Sequence, residues 1–190
     1  MTLSACRSEL YDRLEEVSFP ASPGTALYSL AHEFHELAVS YRKDGDYFLD
    51  SGDPVNALAS WSYALGWLDA GVSLGILTTT PCSGRWVFHP MELADECREH
   101  LQEKVHRYER LLSAAIDSAG TGPEEETVMG RASCRFRSIA SLFLAWGRIF
   151  LEQGRAPNAL ASFSYGHAWM DAGIRSGLFF AKGSRDLFAL

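Results

Sequence analysis

Little in this chain points toward chemistry. Cys6, Cys82, Cys97 and Cys134 stand far apart with no CxxC spacing. That excludes a zinc ribbon or disulfide frame and reads as reduced thiols in a cytoplasmic protein. Apolar runs are short, none near the roughly 18 residues that span a bilayer, so no membrane association is expected. The opening MTLSACRSELYDRLEE is charged within a few residues and does not read as a signal peptide. Basic charge is in deficit: the net charge is −7, which argues against nucleic acid as the main partner. The one basic strip, Arg131, Arg135 and Arg137, reads as the solvated face of a helix.

Catalytic signatures are missing too. There is no glycine-rich phosphate loop and no GxSxG. The cluster His32, Glu33, His35 and Glu36 spaces its histidines three apart, where a zinc-protease helix needs four. Glu103 and His106 have the Glu-x-x-His spacing of a di-iron bundle, but that fold needs two such motifs and two more glutamates. No metal, cofactor or catalytic residue is therefore assigned.

What the chain does contain is itself, twice. A gapless shift of 102 positions lays Phe48–Leu77 on Phe150–Phe179, and half of the positions agree. A duplicated domain follows. Breakers divide it into six helical segments, with no alternation long enough for a strand. The class is all-α: two tandem three-helix bundle repeats packed as one helical protein. The expected division is 1–77 for the first repeat, 78–90 for the joint, 91–182 for the second repeat and 183–190 for a tail. Thr25 is placed to cap the second helix, and Asp53-Pro54 to open the third. A fourth helix is expected from about Pro90, and a sixth from about Pro157 to Phe180. The first helices correspond at a different shift, 97, with Tyr11-Asp12-Arg13-Leu14 on Tyr108-Glu109-Arg110-Leu111. That change predicts a length difference in the first loop of each copy.

The third helix of each copy carries the strongest signal. Asn56, Ser60, Tyr63, Trp67 and Ala70 recur unchanged as Asn158, Ser162, Tyr165, Trp169 and Ala172 at helical spacing. The adjoining stripe changes: Trp61, Ala64 and Leu68 become Phe163, Gly166 and Met170. Copies drift where nothing holds them, so the unchanged stripe has a shared task. Tyr and Trp at this spacing usually pack, each with one polar tip to satisfy. Asp69 and Asp171 must be paired or reach water, because burying a bare carboxylate is prohibitive. His167, one turn before Asp171, can supply a partner, whereas the first copy has Leu65 there.

From Tyr47-Phe48-Leu49-Asp50-Ser51-Gly52-Asp53-Pro54 through Ala57 and Tyr63-Ala64-Leu65-Gly66-Trp67-Leu68-Asp69-Ala70, the chain resembles the archaeal domain of unknown function 357. The second copy departs from its pattern at Arg155, Gly166 and His167 but keeps Met170-Asp171-Ala172. The resemblance implies an archaeal source and small left-handed three-helix bundles, and no activity. Two functional expectations follow. The first is a non-catalytic module that binds a protein partner or forms a homo-oligomer, through an apolar groove between the halves edged by Trp86 and Phe88. The alternative is a ligand-binding or enzymatic bundle using Asn56, Tyr63, Trp67 and Asp69 with Asn158, Tyr165, Trp169 and Asp171.

Overall fold

A computed structural model describes residues 3–80 and 85–182. Cys82 and the expected tail, 183–190, lie outside the described residues. The helices are α1 (Leu3–Glu15), α2 (Ala26–Asp50), α3 (Pro54–Ser73), α4 (Arg98–Ser118), α5 (Val128–Glu152) and α6 (Ala156–Arg175). The bounds of α2 and α3 carry over to α5 and α6 at a shift of 102 without adjustment.

Local chemistry explains those bounds. The Thr25 hydroxyl accepts from the amide of Tyr28 at 3.2 Å, and that of Thr127 from Gly130 at 2.9 Å, so both second helices start on a threonine cap. Asp53 Oδ1 accepts from the amide of Asn56 at 3.0 Å and caps α3. Its counterpart Arg155 makes no side-chain cap and instead donates to the carbonyl of Phe88 at 2.7 Å. Gly52 and Gly154 turn the chain between paired helices at φ of +80° and +71°, a region that a Cβ disfavours.

The helices form a row: α2 packs on α3, α3 on α6, and α6 on α5, with α1 laid on α3 and α4 on α6. α3 and α6 are therefore enclosed, which is why apolar and small residues run nearly all the way round them. They approach tightly at Gly66, where a Cβ would lie 2.6 Å from that of Ala168 and 2.7 Å from the carbonyl oxygen of Tyr165. Positions 66 and 168 are equivalent in the two copies, so this contact sits on the pseudo-two-fold axis that relates them.

Three expectations are corrected here. The first loops do not differ by five residues: Ser18 bridges Thr78 as Gly120 pairs with Phe180, both at a shift of 102. The match at 97 sets buried Arg13 on exposed Arg110, because five residues turn a helix by about 140° and bring up another face. Two strands also exist, β1 (Ala119–Thr121) paired antiparallel with β2 (Phe179–Ala181). They are too short for a periodic signal, and β2 replaces the last turn expected of α6. α4 begins at Arg98, not near Pro90, because Asn158 Nδ2 donates to the carbonyls of Val87 (2.6 Å) and His89 (2.7 Å) and straps that segment to α6. The aromatic residues of the joint pack on the second copy. Trp86 is buried, its ring 6.2 Å from that of Tyr165, and Phe88 lies on Trp146 and Phe150.

Candidate functional site

The stripe that the two copies share meets itself across the seam. Tyr63 donates its hydroxyl to Asp171 Oδ2, and Tyr165 donates to Asp69 Oδ2 at 2.6 Å. Each tyrosine thus serves the aspartate of the other copy. Such reciprocity marks a two-fold arrangement, since a translational repeat would leave one of each pair without a mate. Tyr63, Asp69, Tyr165 and Asp171 are all buried.

The rings around them are matched as well. Trp67 meets Phe34 edge-on at 4.8 Å, and Trp169 meets Phe136 at 4.7 Å. Tyr41 packs on Tyr63 at 4.4 Å, and Phe143 on Tyr165 at 4.3 Å. Trp67 and Trp169 stand about one turn from their tyrosines and wall the network. The asparagines lie outside it. Asn56 Nδ2 donates to Asp53 Oδ2 at 2.6 Å at the start of α3, while Asn158 holds the joint. Of the eight candidate residues, the structure brings together the two tyrosines, two tryptophans and two aspartates.

Among the described residues, the cationic partners differ between the copies. Arg13 of α1, 2% exposed, donates from Nη2 to Asp69 Oδ1 at 2.6 Å and from Nε to the carbonyl of Thr80 at 3.1 Å. Ala115 occupies the equivalent place in α4, and Asp171 instead faces His167 Nε2 at 3.5 Å, as the spacing predicts. Arg13 is the network residue that sequence reasoning missed. Its signal was present: Cys6, Leu10 and Arg13 fall on one stripe of α1, an arginine where a core residue is expected.

Burial pushes the Asp69 carboxyl above the ordinary aspartate range, with Arg13 and the Tyr165 hydroxyl pulling the other way. The Tyr63 phenol is held well above its usual value, first by burial and then by the Asp171 charge. For Asp69 the sign is that of a raised native value. The native state binds the proton more tightly than the unfolded chain, so this contribution is complete below the ordinary carboxylate range. It is lost as pH rises through the native value. Relative to Asp69→Asn, the wild-type protein is expected to lose stability as pH rises from about 4. Urea denaturation of both proteins at several pH values checks this; parallel curves would contradict it.

The other clusters have structural partners. His32 and His35 flank the Phe19 ring at 6.2 and 5.5 Å, and His32 faces Glu36 at 3.5 Å. Arg137 donates to the carbonyls of Ile116 (2.7 Å) and Ala119 (2.8 Å), closing the end of α4, and Arg131 donates to that of Glu126. Among the described residues, no group of three or more His, Cys, Asp or Glu is placed to hold a metal ion. None of their helices is long and apolar enough to cross a membrane.

The duplicated geometry agrees with comparison to known families. The model of a family described as a protein of unknown function, DUF357, matches twice, over residues 8–77 and 107–179. The chain belongs to DUF357. Comparison with curated proteins and with solved structures returned no match. The two DUF357 segments each take in the tyrosine, tryptophan and aspartate of one half-site, so each segment contributes half of both crossed pairs.

Proposed function

We propose that this DUF357 protein is a non-catalytic association module whose working surfaces are the outward faces of its flanking helices. The observation that carries this reading is where large apolar side chains stay exposed. Leu27 and Tyr47 on α2, and their equivalents Met129 and Ile149 on α5, face solvent at matching positions of both copies. α5 adds Leu142, where α2 has Ser40. Leu142 and Ile149, seven residues apart, share one exposed face of α5, and an apolar pair of this kind suits a surface that another molecule covers. The Tyr63, Asp69, Tyr165 and Asp171 network supports the same reading from inside. Each tyrosine hydroxyl is spent on the aspartate of the other copy, which suits a lock between the halves.

The test compares the full chain with L142E/I149E by native mass spectrometry after gentle purification from the source organism. The wild-type protein is expected to carry a stoichiometric protein partner or a second copy. The variant should lose it while its melting temperature stays within about 2 °C, because both positions are exposed. A bare monomer in both cases, carrying the same small molecule, would overturn the reading in favour of a ligand site.

A further inference from the structure

The flanking helices occupy equivalent positions in the two copies, yet their charge is opposite. α2 carries Glu33, Glu36, Asp44, Asp46 and Asp50 against Arg42 and Lys43, a net of −3. α5 carries Arg131, Arg135, Arg137 and Arg148 against Glu152, a net of +3. Part of that charge is paired within the molecule, Arg148 with Glu109 at 2.7 Å, Glu33 with Arg175 at 3.5 Å and Asp46 with Arg7 at 3.0 Å. Glu36, Asp44 and Asp50 remain exposed on α2, and Arg131 and Arg135 on α5. α5 is a basic island on a protein whose overall charge is −7. The two helices also lie at opposite ends of the row α2–α3–α6–α5.

Resting on the association reading above, we infer that the molecule covering α5 is a second copy of this chain, presenting its α2 face. The contact is head to tail. Charge favours this arrangement over the symmetric ones, since α5 on α5 sets arginines against arginines and α2 on α2 sets carboxylates against carboxylates. Apolar side chains sit among these charges: Leu142 and Ile149 lie on the face of α5 that carries Arg135, and Tyr47 lies on the face of α2 that carries Glu36 and Asp50. Leu142 adds a projecting side chain at mid-helix. On α2, a shallow cleft lined by His32, His35, Glu36, Val39, Ser40 and Lys43 offers a recess at the same level. Because donor and acceptor faces are different surfaces on opposite flanks, one contact leaves both outer faces of the pair free. The assembly therefore extends beyond a dimer or closes into a ring.

Sedimentation velocity on the purified full chain tests this with two surface variants, R135E/L142E to block α5 and E36K/D44K to block α2. Circular dichroism confirms that both are folded. In about 50 mM salt the wild-type protein is expected to grow past dimer as concentration rises. About 500 mM salt should weaken that association at least tenfold, since exposed charges are then screened. Each variant alone should be monomeric. Mixed in equal amounts they should give a one-to-one dimer and nothing larger, joining the intact α5 of one to the intact α2 of the other. If E36K/D44K alone still dimerises, the contact is α5 on α5 and the inference fails. If the pure wild-type chain stays monomeric at millimolar concentration, the inference also fails. The association reading would then survive only if native mass spectrometry finds a different protein that R135E/L142E no longer binds.

Discussion

Arg13→Met is expected to lower stability by about 3–5 kcal/mol at neutral pH, the range for removing one member of a buried ion pair. Methionine nearly preserves the buried volume, so packing changes little. What changes is that Asp69 keeps its burial and loses its cation, with only the Tyr165 hydroxyl, 2.6 Å away, still turned toward it. The thermodynamic signature separates this from a loss of packing. With its counter-charge gone, the Asp69 carboxyl is driven higher still, so the penalty should shrink as pH falls and the group takes up a proton. Adding Asp69→Asn in the same chain should restore a large part of the loss, because a neutral amide does not need the guanidinium. Urea denaturation at pH 5 and pH 7.5 measures both effects. A penalty below about 1 kcal/mol, equal at the two pH values, would mean that Arg13 does not hold an ionised Asp69.

Gly147→Ala is expected to cost about 2–3 kcal/mol, the upper part of the range for overpacking. A Cβ there would run into the ring of Phe163, which is fully buried and has no room to retreat. Alanine would gain about 1 kcal/mol over glycine as a helix former, so a net loss measures the clash against an opposing gain. Gly45 stands in the same relation to Trp61 in the first copy. The stripe containing Trp61 and Phe163 differs between copies, and sequence reasoning treats it as unheld. The structure shows that it is clamped by a glycine on the neighbouring helix. Phe163→Leu should therefore cost less in the Gly147→Ala background than in the wild type, by about 1 kcal/mol, because it relieves the clash. Thermal denaturation of the four proteins closes that cycle, and additive effects would refute the clamp.

The sequence by itself determined the duplication, the all-α class and the breaks between α2 and α3 and between α5 and α6. These are local matters. Thr25 and Asp53 cap free amides, glycines at positive φ end the helices, and a gapless shift of 102 leaves no freedom in the loops between. It also marked Asp69 and Asp171 as carboxylates in need of partners, and identified His167 as one of them. Helical periodicity says which side chains share a face and is silent about what that face meets. Only the tertiary structure decided that Tyr63 serves Asp171 and Tyr165 serves Asp69, because only the two-fold crossing at Gly66 and Ala168 brings a tyrosine to the aspartate of the other copy. It decided equally that Arg13, 56 residues away in sequence, is buried against Asp69. Long-range pairing of this kind depends on how helices pack against one another, which no local pattern encodes.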